Sequence, residues 1–418
     1  MQKFTEQIIA KNKEINNWLS LKEKELGELP LYSSVDIRDA GFKTAIVDTN
    51  LFPAGFNNLC EHGTSVSVAA LKSAILKRVP HCKNILIVAE EHTRNTWYLE
   101  NIRTLQSLIE QAGFTARTTT FLYIQPVFCE DATYIELTTA TGQPLTIFCF
   151  QKILKDMKAG KIHFDLIIMN NDLTEGIPEL LKYADAPIYP PMQAGWHSRL
   201  KSDHFRYANE LLTELASVID IDPWLISCLN TTVDSVNINL DDDRRKLTDA
   251  TENIFEKIRE KYKQHNIKET PFIFIKADSG TYGMGVLPIR DPADIAALNR
   301  RNRNKLYKGK GSQVIARYLL QEGVPTTCKI DGKVSEPCLY QVDNRFIGAF
   351  YRLHGEKTVY ENLNSPGMEF RPLCPDHEHF KSCGTNYDDN IFSLYQILAR
   401  VAGIAAQKEI IQLEASIK

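Results

Sequence analysis

The sequence of 418 residues has no apolar run long enough to cross a membrane. Its longest apolar stretches, such as residues 85–89 and 166–169, are far shorter than the roughly 20 residues that a transmembrane helix needs. Residues 1–29 also lack the apolar core and the small-residue cleavage site of a signal peptide. We therefore expect no membrane association and a cytoplasmic location.

A large excess of charge of either sign is also missing. Lysine and arginine total 49 against 52 aspartate and glutamate residues, so the formal net charge is only −3. Such a chain has no overall field that would attract nucleic acid or anionic lipid, and its basic run at residues 300–305 is interpreted as a solvated surface segment. The expected partners are small molecules, and any anion site must be built locally.

The nine cysteines include no CxxC pair and are scattered from Cys60 to Cys383. Such a distribution is typical of reduced thiols rather than of a disulfide framework. The segment 374–383 combines two cysteines with two histidines, which are ligands that Zn²⁺ accepts. Its spacing matches no zinc pattern, so a solvated polar loop is the favoured interpretation.

Short apolar runs alternate with amphipathic stretches in the first half of the chain, which predicts an α/β fold with a mostly parallel sheet. The predicted strands are residues 43–48, 84–89, 164–169 and 187–189, with a hairpin at Thr141–Gly142 as an antiparallel insertion. Residues 199–270 have helical periodicity, and from residue 271 the period changes to two. We therefore expect an N-terminal α/β domain (1–198), a helical connection (199–270) and a C-terminal region (271–418).

The last predicted helix runs from residue 389 to about residue 407 and carries one apolar stripe. We expect this stripe to pack on a sheet. Whether part of such a stripe instead forms a homo-oligomer contact is left open by the sequence.

Polar side chains follow three of the predicted strands. Asn57 and Asn58 come after the first strand, Arg94 after the second, and Asn171 with Asp172 after the third. Open α/β sheets bind ligands beyond the carboxyl ends of their strands. Arginine grips carboxylates and aspartate binds ammonium groups, so these residues suit an amino-acid substrate. The alternative is that they are ordinary turn and helix-cap residues.

Residues 271–288 form the most specific segment of the chain. In the predicted strand, Lys276 shares a face with Phe272 and Phe274, so a lysine is delivered at the strand end. The backbone N–H groups of the following loop can approach phosphate oxygens closely; its residues include Ser279, Gly280, Gly283 and Gly285. A strand follows the loop, and the GxGxxG and GxxxxGK[ST] spacings are absent, so neither a Rossmann nor a Walker element is predicted. A plain glycine-rich hairpin is the alternative.

Further polar residues follow this segment in a definite order. Residues 314–323 predict a strand that ends in Gln321 and Glu322, and residues 337–352 predict a hairpin that carries Arg352. Glu361 and Asn364 come next. This order of lysine, glycine hairpin, Gln–Glu strand, arginine and oxygen ligands resembles that of the ATP-grasp enzymes. Lys201 resembles the earlier lysine that such enzymes bring to the nucleotide.

The resemblance is closer to one family of this superfamily. The segments 48–58, 91–95, 170–172, 195–202 and 361–368 are similar to those of the ATP-grasp-type glutamate–cysteine ligases of proteobacteria. These segments are spread over most of the chain. One departure is that residues 375–418 show no late strand with the further acid-x-Asn metal motif of many ATP-grasp ligases.

The resemblance implies an ATP-grasp-like fold with a two-part C-terminal nucleotide-grasping region. It implies an ATP-dependent ligase that joins the glutamate γ-carboxylate to the cysteine amine through an acyl phosphate, the first step of glutathione biosynthesis. The implied nucleotide contacts are Lys201 and Lys276 on the phosphates, Ser279, Gly280, Gly283 and Gly285 as their cover, and Gln321 with Glu322 at the adenine. Arg352 and Lys276 would be catalytic, Glu361 and Asn364 would bind Mg²⁺, and Asn57, Asn58, Arg94, Asn171 and Asp172 would bind the amino acids.

Two alternatives stay open at this point. One is another ATP-grasp amino-acid or peptide ligase, such as a glutathione synthetase-like enzyme. The other is an ATP-binding sensor without turnover. Taken singly, Arg352 and Glu322 are also compatible with ordinary surface residues, so the assignment depends on the order of the motifs.

Overall fold

The computed structural model describes residues 3–121, 133–179, 181, 184–280, 285–308, 314–373 and 389–416. Its strands are β1 (Tyr32–Asp39), β2 (Thr44–Asn50), β3 (Asn84–Ala89), β4 (Thr115–Thr120), β5 (Tyr134–Thr138), β6 (Pro144–Cys149), β7 (Leu166–Asn170), β8 (Ile188–Tyr189), β9 (Asn230–Val233), β10 (Ile273–Ala277), β11 (Leu287–Ile289), β12 (Tyr318–Glu322), β13 (Lys329–Ile330), β14 (Lys333–Val342), β15 (Arg345–His354) and β16 (Met368–Leu373). Its α-helices are α1 (Lys3–Ala10), α2 (Asn12–Leu26), α3 (Glu61–Arg78), α4 (Thr96–Gln111), α5 (Phe150–Lys158), α6 (Lys201–Ile219), α7 (Asp241–Gln264), α8 (Ala293–Ala296), α9 (Arg300–Tyr307) and α10 (Asp389–Ala415). The chain therefore has a mixed α/β fold, and the described strands form three sheets.

The first sheet, in the order β5-β6-β4-β3-β7-β8, is parallel except at its β5 edge. In β3, Ile85 and Ile87 pack on one face while Leu86 and Val88 pack on the other, as expected for a strand that is covered on both sides. The antiparallel β5–β6 pair confirms the predicted hairpin. Strand β4 was not predicted because its threonine-rich sequence lacks an apolar run.

The central sheet has the order β16-β15-β14-β1-β2, with β13 on the edge of β14, and all its pairs are antiparallel. The prediction that the strand at residues 43–48 belongs to the parallel sheet is therefore wrong, because β2 pairs with β1. An apolar run identifies a buried strand but not the sheet that it joins. Strand β1 in turn pairs with β14 through Val35 and Leu339, so segments from both ends of the chain build this sheet.

The third sheet has the order β11-β10-β12-β9 and is also antiparallel. Ile273 and Ile275 of β10 pack into a core with Ile254 and Ile258 of α7. The opposite face of β10 carries Lys276, as the period-two pattern predicted. The predicted order of strand, glycine loop and strand is confirmed by the antiparallel pairing of β10 with β11.

Helix α10 connects two cores of the molecule. Its predicted apolar stripe packs in the largest described core, against α6 and the central sheet: Leu394, Tyr395, Leu398, Val401, Ala402 and Ala405 are buried there, and Ile391 is partly buried against it. Farther along the helix, Ala406 and Ile410 join the core beneath the parallel sheet. The prediction that this stripe packs on a sheet is confirmed, and a homo-oligomer stays a prediction.

Five of the described cysteines have free thiols: Cys60, Cys82, Cys228, Cys328 and Cys338. Cys149 is disulfide-bonded, so the expectation of reduced thiols is wrong at this position. The Cys/His cluster at residues 374–383 lies outside the described residues. No helix in the described part of the chain combines the length and the apolar character that a membrane span requires.

Gly403 allows close contact between α10 and the β14–β15 turn, because a Cβ atom there would overlap Asn344 Oδ1. Alanine normally stabilises a helix interior by about 1 kcal/mol relative to glycine. Here we expect Gly403→Ala to destabilise the protein by about 1–3 kcal/mol through overpacking, measured by thermal unfolding. Asn344 has a φ of 61°, which glycine also adopts freely. In an Asn344→Gly background the destabilisation should disappear, and an equal loss there would contradict the steric explanation.

Candidate active site

A cleft lies between the central sheet and the third sheet. Its lining residues come from β1, β2, β10, β12, β14, the start of α6 and three loops: Asp36, Arg38, Val47, Asp48, Lys201, Phe274, Lys276, Ala277, Gly280, Val286, Gln321, Glu322, Val324, Glu336, Asn362 and Asn364. Six of the predicted site residues are in this set: Lys201, Lys276, Gly280, Gln321, Glu322 and Asn364. The fold therefore brings most of the predicted nucleotide contacts together.

Lys201 and Lys276 reach the cleft from different elements. Lys201 is the first residue of α6, and its Nζ atom lies 3.2 Å from Asp48 Oδ1 and 4.0 Å from the ring centroid of Trp196. Lys276 Nζ donates to Gln321 Oε1 at 2.6 Å and to the Val47 carbonyl at 3.2 Å. Burial lowers the pKa of Lys276 to about 8, and the positive charge of Lys201 adds to this effect while Asp48 opposes it.

Two glycines of the predicted phosphate loop, Gly280 and Gly285, adopt positive φ angles. Gly280 has a φ of 103° and lines the cleft, whereas Ser279 beside it is exposed. Gly285 has a φ of 68° and packs against the backbone of α9, where a Cβ atom would lie 3.4 Å from the Lys305 carbonyl oxygen. Gly283 lies outside the described residues. Positive φ values at Gly280 and Gly285 explain why glycine is needed at these two positions.

Glu322 has a more internal environment than the sequence suggested. Its carboxylate is almost fully buried and lies 2.6 Å from Lys43 Nζ. It also accepts hydrogen bonds from Trp224 Nε1 at 3.0 Å and from the Leu229 backbone amide at 2.9 Å. Both carboxylate oxygens are therefore occupied, and Glu322 anchors β12 to the segment that precedes β9.

Two arginines and two acids form a buried network on the central sheet. Arg352 Nη1 lies 2.8 Å from Asp36 Oδ2 and 2.8 Å from Glu336 Oε1. Arg38 Nε lies 2.7 Å from the other oxygen of Glu336. Although burial alone would raise the pKa of Glu336, the two guanidinium groups hold it below its usual range. Sequence reasoning missed Asp36, Arg38 and Glu336.

Arg38 also holds the loop that carries the predicted metal ligands. Its Nη2 atom donates to the Glu361 carbonyl oxygen at 2.6 Å. The Glu361 carboxylate accepts hydrogen bonds from Thr358 and Lys357 within the same loop and does not line the cleft. Asn364 does line the cleft. Of the two predicted metal ligands, only Asn364 therefore lines the cleft, whereas the Glu361 carboxylate is bound within its own loop.

The five predicted amino-acid contacts lie outside the cleft lining. Asn171 and Asp172 are buried, and their side-chain oxygens accept hydrogen bonds from residues two positions later in the same loop. Asn57 and Asn58 are half-buried on a 3₁₀ turn, where the two side chains contact each other at 3.4 Å. Arg94 is exposed. The hydrogen bonds of Asn171 and Asp172 match the turn role that the sequence left open.

The chain was compared with known proteins. The model of the glutamate–cysteine ligase family matches residues 5–410. The chain belongs to the glutamate–cysteine ligase family. A structure assigned to a gamma-glutamylcysteine synthetase of Methylobacillus flagellatus KT is 34% identical, with a TM-score of 0.84 over 98% of this chain and 95% of that one. The ligase is therefore an ATP-dependent enzyme that joins glutamate to cysteine in glutathione biosynthesis, which confirms the family and the activity that the motifs predicted.

More distant structures also match the ligase. The D-alanyl-alanine synthetase A of Vibrio cholerae is 12% identical, with a TM-score of 0.35 over 80% of this chain and 81% of that one. A glutathione synthetase-like effector of Globodera pallida is 9% identical, with a TM-score of 0.33 over 87% of each chain. A comparison with curated sequences found no significant match.

The buried Arg38–Glu336 pair should contribute strongly to stability. Both side chains are at most 4% exposed, so removing Arg38 leaves Glu336 with only Arg352 as its cationic partner. We expect Arg38→Met to lower the free energy of unfolding by about 3 kcal/mol, measured by urea denaturation. Arg371→Met is the matched control on β16, because Arg371 is 43% exposed and its nearest acid, Asp331, is as far as 3.7 Å away. The control should cost less than about 1 kcal/mol, and equal losses would contradict the assignment.

Proposed function

We propose that the cleft is the nucleotide site of an ATP-grasp-like fold and that it activates glutamate as an acyl phosphate. The observation that carries this proposal is the meeting of Lys201 and Lys276 beside Gly280 in one cleft. A carboxylate is a poor electrophile, so its γ-oxygen attacks the terminal phosphorus of ATP and ADP leaves. The cysteine amine then attacks the acyl carbon, and inorganic phosphate leaves. These steps need positioning and charge neutralisation more than covalent participation by the protein.

Charge in the cleft supports specific roles for the lysines. The lining contains four carboxylates, from Asp36, Asp48, Glu322 and Glu336, against the cations of Arg38, Lys201 and Lys276. Such a lining has no surplus of positive charge for a triphosphate. In our proposal Lys201 and Lys276 exchange their present contacts with Asp48 and Gln321 for phosphate oxygens, and the segment 279–285 covers the phosphates.

The remaining negative charge calls for a divalent cation, and the cleft offers hard oxygen donors that suit Mg²⁺. Within the described residues, no group of three or more His, Cys, Asp or Glu side chains is arranged to hold a metal ion. Proteins often hold Mg²⁺ through one or two carboxylates together with substrate phosphates. The donors that we propose are Asp36, Glu336 and Asn364. The ion would neutralise phosphate charge, whereas Glu361 would need to leave Thr358 and Lys357 to take part.

Arg352 is paired with two acids, so we do not propose that it contacts a phosphate group directly. Its ion pairs with Asp36 and Glu336 offset most of its charge. Its Nε atom is buried and has no hydrogen-bond acceptor among the described residues. We therefore propose that Arg352 stabilises the transferring phosphoryl group mainly by keeping Asp36 and Glu336 ionised and oriented. Gln321 and the backbone beside Glu322 are proposed to contact the adenine.

The amino-acid substrates are assigned to the loops that follow β2, β3 and β7. Arg94 is exposed, and the described residues supply no ion-pair partner for it, so its guanidinium is available to a substrate carboxylate. Asn57 and Asn58 present amide groups that can bind either end of an amino acid. Asn171 and Asp172 would shape this loop and contact substrate only after exchanging their turn hydrogen bonds.

The substrate assignment can be tested by ADP release. We expect ADP release with glutamate plus cysteine, and none above background with γ-glutamylcysteine plus glycine.

Lys276→Ala should abolish this turnover while circular dichroism shows that the protein remains folded. Activity with the second pair alone would overturn the substrate assignment, and ADP release with neither pair would favour an ATP sensor.

Lys276 should make ATP binding depend on pH. Its folded pKa of about 8 lies below the ordinary 10.5, so the free protein loses this charge as the pH rises through about 8. Because ATP favours the charged form, affinity should be highest below that pH and fall above it by at most about tenfold per pH unit. Calorimetry from pH 7.5 to 9.5 without cysteine measures this and avoids titration of the substrate thiol. Lys276→Arg should flatten the profile, and an unchanged slope in that variant would assign the titration to another group.

A further inference from the structure

Asp278 lies two residues after Lys276, where β10 gives way to the glycine segment, and its side chain is fully buried. It does not line the cleft. Ser202 donates to it twice, from the backbone amide to Oδ1 at 2.8 Å and from Oγ to Oδ2 at 2.7 Å. The Asp278 backbone carbonyl also accepts a hydrogen bond from the Lys201 amide at 2.7 Å. Both carboxylate oxygens and the backbone carbonyl of Asp278 thus accept hydrogen bonds from the first two residues of α6.

These contacts replace a missing helix cap. The residue before α6 is Leu200, which supplies no side-chain hydrogen bond to the helix. The first amide groups of an α-helix lack partners within the helix and are usually satisfied by a Ser, Thr, Asp or Asn at the N-cap. In this protein the first two amides, those of Lys201 and Ser202, are satisfied by Asp278 from a segment 76 positions later. Aspartate also suits a helix N-terminus electrostatically.

We propose that Asp278 is a positioning residue that fixes Lys201 relative to Lys276. This inference rests on the proposed function, in which both lysines bind ATP phosphates. A single residue bonds to the first turn of the helix that begins with Lys201, and it is covalently joined to the strand that ends beside Lys276. A shift of either element would therefore have to break short hydrogen bonds to a buried carboxylate, which is costly.

Arg317 completes the arrangement. Its Nε atom lies 2.6 Å from Asp278 Oδ2 and 3.1 Å from Asp234 Oδ1. The Asp278 backbone amide donates to the Arg317 carbonyl at 3.2 Å, so the two residues are joined twice. Both carboxylate oxygens of Asp278 thus accept hydrogen bonds from Ser202 of α6, and Oδ2 also forms an ion pair with Arg317 in the segment before β12. These contacts favour a role in positioning over direct contact with substrate or metal.

Asp278→Asn tests the inference with little change in volume. An asparagine retains one oxygen for the Ser202 amide, but its NH₂ group would face the Arg317 guanidinium, which cannot accept, and Ser202 Oγ would have to accept a hydrogen bond instead of donating one. We expect ATP affinity, measured by calorimetry with MgATP and no amino acids, to fall about tenfold. The KM for glutamate should change by less than about twofold, because the amino-acid loops are carried by other elements.

Asp165→Asn is the matched control. Asp165 likewise accepts two backbone amide hydrogen bonds from a distant segment, those of Lys83 and Asn84, but it lies at the amino ends of the parallel strands. This variant should lose stability while its affinity for ATP stays within about twofold of wild type. Ser202→Ala is a milder second variant, for use if Asp278→Asn does not fold, and should weaken ATP binding by about threefold.

A double-mutant cycle with Lys201→Ala separates the two proposals. If Asp278 acts through Lys201, adding Asp278→Asn to Lys201→Ala should weaken ATP binding by less than about threefold. Unchanged affinity in Lys201→Ala would overturn the proposed phosphate role of Lys201. Weakened binding in Lys201→Ala together with unchanged binding in folded Asp278→Asn, or in Ser202→Ala where Asp278→Asn does not fold, would overturn this inference alone. Equal losses for ATP and glutamate in Asp278→Asn would also overturn it.

Discussion

The antiparallel pairing of β1 with β14 is the contact on which the cleft depends. It places Asp36 and Arg38 beside Glu336, although Arg38 and Glu336 are 298 positions apart along the chain. Without this pairing Asp36 and Arg38 would lose their contacts with Arg352 and Glu336, and the loop that carries Asn364 would lose its attachment to Arg38. The register of this one strand pair therefore positions Asp36, Arg38 and Glu336 in the cleft lining. Through Arg38 it also positions the loop that carries Asn364.

Charge compensation governs the interior of this site. Burying a charge is costly unless it is paired and hydrogen-bonded, and the residues around the cleft follow this rule closely. Lys43 pairs with Glu322, and Arg352 is shared between Asp36 and Glu336. Lys201 has one carboxylate contact, with Asp48 at 3.2 Å, and Lys276 donates to the uncharged oxygens of Gln321 and Val47. This difference in pairing is why we propose these two lysines, and not Lys43 or Arg352, as the cations that bind phosphate.

Local periodicity was enough to predict the elements that bear the lysines. Lys276 and Gly280 were placed correctly because a period-two strand followed by glycines is a local signal. Asp36 and Arg38 were missed because β1 alternates Val35 and Ile37 with polar residues, and their pairing partners lie far along the sequence. A search for alternating patterns as well as apolar runs would have found that strand, but not its neighbours.

Other parts of the site could not be predicted because they depend on tertiary contacts. Nothing near Glu322 in the sequence indicates that Lys43 and Trp224 occupy its carboxylate. The three-residue spacing of Glu361 and Asn364 did not reveal that one faces its own loop and the other the cleft. Motif order identified the family, whereas the roles of single side chains required the packed structure.

The long separation between β1 and β14 also has a consequence for biosynthesis. When the chain emerges from the ribosome, β1 is available long before the strand that pairs with it has been made. Pairings between distant segments carry a large loop-closure cost and form late in folding. The strands of the parallel sheet all come from residues 84–189, so their pairing does not wait for the C-terminal segments, although Ala406 and Ile410 later complete one of its cores. We therefore expect the strands of the parallel sheet to pair first, and the cleft to be completed only when β14 pairs with β1.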